Sequence, residues 1–329
     1  MALLSEFKLI SRIQELALEA GVLADCFIPI GDDAAAFLPQ MDAVVISTDA
    51  AVEGVHFDFS IMSSAAVGYR SLAANVSDLS AMGAAPIGFL LSLVLDRTLS
   101  QRRLEAMLGG MFEFAKLSAC PLMGGNIAST KGAMTIAITV VGEGAPGKLA
   151  KRGGAKEGDV VAVTGTLGNA RAGLFISQGK TPYSRSGAMA LKRAYGFPPL
   201  RMAEGRLLAE AGVSAMIDIS DGLIQDLGHI LEASRLGADI YADRLPISAN
   251  LKNFAANIGE RAYSYAMAGG EDYELLFTIS PEGWEKLKES YPMGYAPLAQ
   301  IGVAKAEKGV SLYYGGEELS FSPSGWKHF

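Results

Sequence analysis

Met216–Ile230, MIDISDGLIQDLGHI, is the stretch that decides the fold, because it predicts a strand, a tight turn and a helix in direct succession. Asp218 and Ser220 alternate along the strand, so their side chains point to the same side. Asp221 and Gly222 then begin the helix, where unpaired N–H groups attract anions. A capping role would explain Asp221 alone and would leave Asp218 unexplained. We therefore expect an α/β fold with carboxylates at this turn.

Acidic side chains follow other apolar runs as well. They occur in IPIGDD (Asp32 and Asp33), VVISTD (Asp49) and NVSDL (Asp78), and in AGGEDYEL the acidic Glu271 comes just before an apolar strand pattern. Each taken alone also fits a polar turn, a helix cap or a solvated loop, and Asp78 falls inside a helical pattern, where Asp is unfavourable. Together they indicate metal binding, because converging carboxylates must share cations or protons. Oxygen ligands without His or Cys favour Mg²⁺ over Zn²⁺, and Mg²⁺ usually accompanies phosphates, so we expect phosphoryl transfer.

The composition is that of a two-domain protein without a nucleic-acid or membrane surface. The 329 residues are 50% hydrophobic, which is ample for two buried cores. The formal net charge of −7 argues against a nucleic-acid-binding face and a polybasic membrane patch. Charges run through the N-terminal segment and the longest apolar run is PIGFLLSLVL, so neither a signal peptide nor a membrane span is expected. Cys26 and Cys120 lie in apolar stretches, which favours core positions in a reducing, cytoplasmic environment.

Two α/β units of similar size account for the order of patterns along the chain. The first, residues 1–147, has strand patterns in AVVIS, GFLLSLVL and MTIAITVVGEG, with helices predicted over about 63–82 and 100–117. A Gly- and Lys-rich stretch at 147–158 marks the boundary. Residues 148–329 then alternate strand and helix patterns, including VVAVTG, SAMIDIS and YELLFTIS. The expected fold class is α/β, in its α+β form.

The segment Gly142–Leu149, GEGAPGKL, nearly spells a phosphate-binding P-loop after a strand. Leu149 stands where that motif needs a Ser or Thr hydroxyl for Mg²⁺, and the residues that follow are too rich in Gly to open the required helix. The segment is therefore not expected to bind a nucleotide as a P-loop.

Several short motifs follow one another in a specific order: GDD, STD, EGVHF, NVSDLSAMGA, KRGGAKEGD, DISDGL, GGEDYEL and a terminal WKHF. As an ordered set they resemble the thiamine-monophosphate kinase family, of the superfamily that also includes aminoimidazole ribonucleotide synthetase. The resemblance extends from Glu6 to Phe329. It implies an aminoimidazole ribonucleotide synthetase-like fold, in which a mixed-sheet N-terminal domain binds ATP and Mg²⁺ and forms a homodimer. An α/β C-terminal domain would close over the nucleotide and the substrate.

The resemblance also implies several Mg²⁺ ions, ATP as co-substrate and a set of binding residues. The Mg²⁺ ligands would be Asp33, Ser47, Thr48, Asp49, Asp78, Asn126, Asp218 and Asp221. ATP would contact Gly125, Asn126, Arg152 and Ser220, and the substrate would contact His56, Glu271 and Trp326. Asn126 departs from the family, which has Asp at this position, so an amide oxygen of lower charge replaces one anionic ligand.

The implied reaction is Mg²⁺-dependent transfer of the γ-phosphate of ATP to thiamine monophosphate, giving thiamine diphosphate and ADP. The attacking phosphate oxygen is ionised near neutral pH, so no general base is needed, and catalysis would be positioning by the Asp residues and electrostatics. Trp326 and Glu271 suit the thiazolium cation of the substrate. Two alternatives stay open: another ATP-dependent enzyme of the superfamily, such as a cyclase or a maturation factor, and a non-catalytic sensor of a nucleotide or thiamine phosphate.

Overall fold

The computed structural model describes residues 6–25, 37–179, 183 and 185–319. Its contacts divide the chain into two compact units, one with residues 1–79 and 84–146 and the other with residues 80–83 and 147–329. No helix in these described ranges is both long enough and apolar enough to span a lipid bilayer. The mixed α/β architecture confirms the fold class expected from the sequence.

The first unit combines a four-stranded sheet with helices. The strands are β1 (Ala43–Val52), β2 (Ala85–Asp96), β3 (Leu122–Thr130) and β4 (Thr135–Gly144), in the order β1-β4-β2-β3. β2 and β3 are parallel, and the other neighbours are antiparallel. The helices are α1 (Glu6–Glu19), α2 (Ser64–Met82) and α3 (Gln101–Ser118). β1 and β3 are therefore the edge strands of this sheet.

Helices α2 and α3 pack closely because glycines stand at their contact. A Cβ added at Gly68 would lie 1.8 Å from the carbonyl oxygen of Met107, and one at Gly110 would lie 2.0 Å from that of Ala65. Any larger residue at either position would push the two helix backbones apart. The small residues thus bring α2 against α3 at backbone distance.

The two faces of the first sheet differ in exposure. Alternate side chains of β2 and β4 are buried on the face that α2 contacts, among them Phe89, Leu91, Leu93, Ile136 and Ile138. On the opposite face Ile46 is 65% exposed and Leu90 is 38% exposed. This second face is called the open face below, and its apolar side chains are only partly covered.

The second unit is built on a seven-stranded sheet. The strands are β5 (Val160–Thr164), β6 (Ala215–Asp218), β7 (Gly237–Tyr241), β8 (Leu275–Ile279), β9 (Leu298–Lys305), β10 (Gly309–Tyr314) and β11 (Glu317–Leu319), in the order β11-β10-β7-β9-β5-β8-β6. The helices are α4 (Asn169–Ser177), α5 (Arg185–Gly196), α6 (Met202–Glu210), α7 (Leu223–Ser234), α8 (Ala249–Asn257), α9 (Ala262–Ala268) and α10 (Pro281–Ser290). β7 and β10 are parallel, and the other neighbours are antiparallel.

Both faces of this larger sheet are covered. Val161 and Val163 of β5 belong to one hydrophobic core, which includes Leu227 of α7. The alternate residue Ala162 belongs to a second core, which includes Trp284 of α10. Because both faces are buried, β5 and β8 are apolar at nearly every position and do not alternate with polar residues.

Most predicted elements are confirmed, and two differences matter for the site. The helices predicted over 63–82 and 100–117 correspond to α2 and α3. The strand predicted over AVVIS would end just before Thr48 and Asp49, and that prediction is wrong: β1 continues to Val52, because residues 50–52 keep pairing with β4. Strand β3 was not predicted, because MGGNIAST is made largely of small and polar residues with low strand propensity.

Candidate functional site

Some of the predicted site residues cannot be placed. Asp33 and Trp326 lie outside the described residues, as do Asp32 and Cys26. Cys120 is fully buried and its thiol is unpaired, which confirms the core position expected for it. The other predicted residues fall into two groups, one in each unit, and each group is described in its own surroundings.

Side chains from β1 and α2 meet on one face of the first sheet. The Ser47 hydroxyl donates a 2.5 Å hydrogen bond to Asp78 Oδ2. The main-chain N–H of Asp49 donates to Asn75 Oδ1 at 3.1 Å. Ser47 and Asp49 are two residues apart on a strand and so share this face. The bond to Ser47 explains why α2 carries an Asp in its interior, where helix propensity disfavours one.

Thr48 and Asn126 lie on the other face. Thr48 Oγ1 is 3.0 Å from both the carbonyl oxygen of Ile138 and Thr139 Oγ1. Asn126 pairs with Ser92 one register step beyond Gly125, and it is exposed on the open face. The predicted metal ligands of this unit are therefore split by the sheet, with Ser47, Asp49 and Asp78 on the helix side.

Asp49 and Gly125 occupy the same row of the sheet at opposite edges. The row runs from Asp49 through Ile138 and Leu91 to Gly125. Three strand spacings separate the ends of the row, which is about 14 Å. Within one chain, the predicted nucleotide-binding residues Gly125 and Asn126 on β3 are therefore not adjacent to Asp49 on β1.

Gly125 is a glycine for a packing reason that the sequence did not reveal. A Cβ at this position would lie 1.9 Å from the carbonyl oxygen of Leu91 on the neighbouring strand. Gly125 and Asn126 also line a cleft between β3 and α1, together with Ile10 and Ile13. At Gly125 the wall of this cleft therefore consists of main-chain atoms only.

His56 is held in a tight turn after β1. Its Nδ1 accepts a 3.1 Å hydrogen bond from the main-chain N–H of Val52, and its own N–H donates to the carbonyl oxygen of Val52. A ring nitrogen that accepts an N–H carries no proton, so the neutral ring has its proton on Nε2. The turn therefore fixes both the tautomer and the direction of this predicted substrate residue.

In the second unit, the turn after β6 pairs with the segment before β8. Asp218 is the last residue of β6 and is 4% exposed. The Ile219 N–H donates to the carbonyl oxygen of Glu274 at 2.8 Å, and the Glu271 N–H donates to that of Ser220 at 2.7 Å. Asp218 and Ser220 were predicted from one motif and Glu271, 51 residues after Ser220, from another, and they lie on two backbone segments that are hydrogen-bonded to each other.

Asp226 occupies the N–H groups that the sequence left open for an anion. Its Oδ2 accepts hydrogen bonds from the N–H groups of Ser220, Asp221 and Gly222 at 3.1, 3.1 and 3.0 Å. The N–H groups of Ser220, Asp221 and Gly222 are therefore not open to an external anion, and Asp221 does not cap α7 through its side chain. Burial raises the pKa of Asp226 to about 7, and the Asp221 carboxylate adds to the rise.

Sequence reasoning missed Asp226 because its partners could not be foreseen. It stands in the first turn of α7, where an acidic residue is ordinary and interacts favourably with the helix dipole. The signal available was its spacing of four residues from Gly222. The Asp226 carboxylate thus fixes the shape of the turn at residues 220–222 by accepting its three N–H groups.

Arg152 is carried by a loop that is fastened along β6 and α7. The N–H of Met216 in β6 donates to the carbonyl oxygen of Lys151 at 2.9 Å. Ser234 Oγ, at the end of α7, accepts from the N–H groups of Gly154 and Ala155 at 3.2 and 3.1 Å. Arg152 is exposed, so its guanidinium extends from a fixed loop beside the strand that ends at Asp218.

Comparisons with known proteins assign the chain to a family. Residues 31–143 match AIR synthase related protein, N-terminal domain, and residues 156–315 match the C-terminal domain of the same family. A thiamine-monophosphate kinase of Bacillus subtilis is 34% identical over 307 residues, which is 92% of this chain and 93% of that protein. The chain belongs to the thiamine-monophosphate kinase family. This membership confirms the resemblance seen in the ordered motifs.

Solved structures of the thiamine-monophosphate kinase family share the fold. A thiamine-monophosphate kinase from Stenotrophomonas maltophilia K279a superposes with a TM-score of 0.82 at 34% identity, covering 96% of this chain and 98% of that chain. A structure of AaThiL complexed with AMPPCP and TMP has a TM-score of 0.78 at 32% identity, covering 98% of this chain and 97% of that chain. The similarity therefore extends over both units of the chain.

The donors present in this family member are chemically suited to Mg²⁺. Within residues 6–25, 37–179, 183 and 185–319, no group of three or more His, Cys, Asp or Glu side chains is placed to hold a metal ion. Mg²⁺ is usually held by only one or two carboxylates, and phosphate oxygens and water complete its octahedron. Asp49 and Asp78 supply two carboxylates on one face of the first sheet, and Asp218 and Asp221 supply two at one turn. These pairs fit an ion that arrives with a phosphate.

Proposed function

We propose that this protein transfers the γ-phosphate of ATP to thiamine monophosphate, in a Mg²⁺-dependent reaction that gives thiamine diphosphate and ADP. The observation that carries the proposal is the similarity, over 98% of this chain, to the structure of AaThiL complexed with AMPPCP and TMP. AMPPCP is an ATP analogue, so that complex pairs a nucleotide with the phosphate acceptor. The carboxylate pairs on β1, α2 and the turn after β6 supply the chemistry that such a reaction needs.

The proposed reaction is a direct displacement. An oxygen of the thiamine monophosphate phosphate forms a bond to the γ-phosphorus, and the bond from that phosphorus to the β–γ bridging oxygen breaks, so that ADP leaves with the electron pair. The attacking oxygen is ionised near neutral pH, since the second pKa of a phosphate monoester is about 6. No side chain has to remove a proton, so the protein contributes positioning and electrostatic stabilisation.

The residues that would hold Mg²⁺ in this proposal come from the predicted set: Asp33, Ser47, Asp49, Asp78, Asp218 and Asp221. The side chains of Thr48 and Asn126 lie on the opposite face of the first sheet, so within one chain they would not bind the same ion as Asp49. Bound Mg²⁺ would neutralise the negative charge of the nucleotide and acceptor phosphates, which the carboxylates alone would repel. The Ser47 hydroxyl orients the Asp78 carboxylate, and the hydrogen-bonded strand ladder fixes Asp49 on the same face. Gly125, Asn126, Arg152 and Ser220 would contact ATP.

The substrate end of the site is assigned to His56, Glu271 and Trp326. The thiazolium ring of thiamine carries a permanent positive charge, which a carboxylate attracts by charge and an indole ring attracts by cation–π contact worth about 0.5 to 2 kcal/mol. Glu271 is half-buried, so its charge is less screened by water than that of a fully exposed acid. The fixed ring of His56 would add a hydrogen-bond donor at Nε2.

The proposal assigns residues 1–147 to ATP and Mg²⁺ binding and to dimer formation, and residues 148–329 to nucleotide and substrate binding. The open face of the first sheet supports the homodimer, because Val44, Ile46 and Leu90 are 46%, 65% and 38% exposed there. A second copy of the chain is the proposed occupant, since a two-fold contact buries the same patch on both chains. Ile46→Glu would then shift the mass measured by light scattering from that of a dimer to that of a monomer.

A product assay tests the function. The protein is incubated near neutral pH with Mg²⁺, ATP and thiamine monophosphate. We expect ADP and thiamine diphosphate to form in equal amounts. Omission of thiamine monophosphate should abolish ADP formation, and chelation of Mg²⁺ should abolish both products. Release of ADP without thiamine diphosphate, or turnover of a different phosphate acceptor, would overturn the substrate assignment while leaving the family assignment intact.

A further inference from the structure

The segment that carries Glu271 has an unusual backbone. Glu271 and Tyr273 both adopt left-handed conformations, with φ of 70° and 49°, although neither is a glycine. Each such residue costs about 1 to 2 kcal/mol relative to the right-handed conformation. A segment with two of them persists only where surrounding contacts over-determine its path.

Asp272 supplies such contacts from between these two residues. It is 5% exposed, and its Oδ2 accepts a 2.6 Å hydrogen bond from the Gly168 N–H. Its Oδ1 accepts a longer bond, 3.3 Å, from the Ala170 N–H. Both donors belong to the N-terminus of α4, where main-chain N–H groups lack partners within the helix. The carboxyl group therefore ties the segment to the end of a helix.

The other side of the segment is fixed by the turn after β6. The Glu271 N–H donates to the carbonyl oxygen of Ser220, and the Tyr273 N–H donates to that of Ile219. A Cβ at Gly270 would lie 2.3 Å from the Ser220 carbonyl oxygen, so the two backbones are in direct contact. Glu271 is thus held between the turn on one side and the anchor of Asp272 on the other.

We infer that Asp272 is a positioning residue of the substrate site, which fixes the direction of the Glu271 side chain through their shared backbone. This inference rests on the proposed function, in which Glu271 meets the thiazolium cation. Asp272 is too deeply buried to contact the substrate, and both its oxygens are engaged with α4. Asp272 therefore contributes to substrate binding only by orienting Glu271. When Glu271 lacks its charge, Asp272 should no longer affect substrate binding.

A double-mutant cycle tests this dependence. Asp272→Asn keeps the shape of the side chain but leaves only one acceptor oxygen for two N–H donors. We expect it to raise the KM for thiamine monophosphate about tenfold in the wild-type background and less than about twofold in the Glu271→Gln background, with little change in the KM for ATP. Equal factors in the two backgrounds would overturn the inference.

Asp159→Asn is the matched control. Asp159 is also buried, at 3% exposure, and its carboxylate accepts from the Lys156 N–H and the Ser214 hydroxyl at a different loop of the same unit. A general loss of stability would affect both variants alike, so a control that raises the KM for thiamine monophosphate as much as Asp272→Asn also contradicts the inference. Circular dichroism establishes that each variant is folded.

The outcomes separate this inference from the proposed function. A wild-type protein that forms no thiamine diphosphate refutes the proposed function, whereas normal turnover with no coupling between Asp272 and Glu271 refutes the inference alone. Should Asp272→Asn not fold, Asp272→Glu keeps both acceptor oxygens and lengthens the anchor by one methylene group. Asp272→Glu is likewise expected to raise the KM for thiamine monophosphate more in the wild-type background than in the Glu271→Gln background, and equal factors in the two backgrounds would refute the inference.

Discussion

Arg201 and Glu274 form a two-point ion pair beside the segment that carries Glu271: Arg201 Nε donates to Glu274 Oε2 at 2.5 Å, and Nη2 donates to Oε1 at 2.7 Å. Glu274 is 3% exposed and also accepts from the Thr164 hydroxyl at 2.7 Å. A side chain at Gly165 would collide with the Glu274 carboxylate, at 1.9 Å from Oε1. The pair thus joins the start of α6, the end of β5 and the start of β8.

Loss of this pair should destabilise the protein. Glu274→Gln removes the two-point partner of the Arg201 guanidinium and leaves it, largely buried, with only the longer 3.8 Å ion pair to Glu204, so we expect the free energy of unfolding to fall by about 3 kcal/mol in urea denaturation. Glu282→Gln, which breaks the exposed pair with Lys286 on α10, is the control and should cause no measurable change. If the two variants lost similar amounts of unfolding free energy, burial of the Arg201–Glu274 pair would not be what makes it stabilising.

Gly125 and Gly124 offer a neighbouring pair with different surroundings. A Cβ at Gly125 would lie 1.9 Å from the Leu91 carbonyl oxygen, whereas one at Gly124 would lie 3.4 Å from Leu90 Cδ2, an ordinary contact. We expect Gly125→Ala to lower the free energy of unfolding by about 1 to 3 kcal/mol, since β2 and β3 must separate to admit the methyl group. Gly124→Ala should be close to wild type. A stable Gly125→Ala protein would contradict the strand register.

Asp49 and Asp218 should be essential for turnover. Replacing either by Asn keeps the size of the side chain but removes the charge that would bind Mg²⁺, so kcat should fall by about 100-fold or more with the fold intact. Asp96→Asn is the control, because this acid stands at the far end of β2 and accepts from the Thr98 N–H. Near-normal turnover of both site variants at saturating Mg²⁺ would refute the metal assignment.

Stability should decrease with rising pH because of Asp272. Burial raises the pKa of Asp272 to about 8, and the nearby acids Glu274 and Glu271 add to the rise, against the hydrogen bonds from Gly168 and Ala170. The native protein therefore keeps a proton that the unfolded chain loses near pH 4, so the free energy of unfolding falls between about pH 4 and pH 8 and levels off above.

The pH dependence is measured by urea denaturation at a series of pH values in that window. The contribution of one proton to the slope is at most about 1.4 kcal/mol per pH unit. Asp272→Asn cannot titrate, so its free energy of unfolding should fall less steeply than that of the wild type. Parallel curves for the two proteins would show that Asp272 does not hold a proton in this window.

The sequence was informative where contacts are local. The period of apolar residues located α2 and α3, the MIDISDG pattern located the turn before α7, and the ordered motifs indicated the family. The acidic residues and their association with strands were also visible. The exact ends of β1 were not, because Ala50 to Val52 continue the strand only by pairing with β4.

What the sequence by itself determined was the order of the elements, the fold class and the family. Only the tertiary structure decided that Asp78 binds Ser47, that Asn126 lies on the opposite face from Asp49, and that Asp226 fills the turn expected to attract an anion. The anchor of Asp272 on Gly168 joins residues 104 positions apart. Periodicity reports only which side of its own element a residue faces, whereas such pairs are selected by the packing of distant elements, where buried polar groups must find partners.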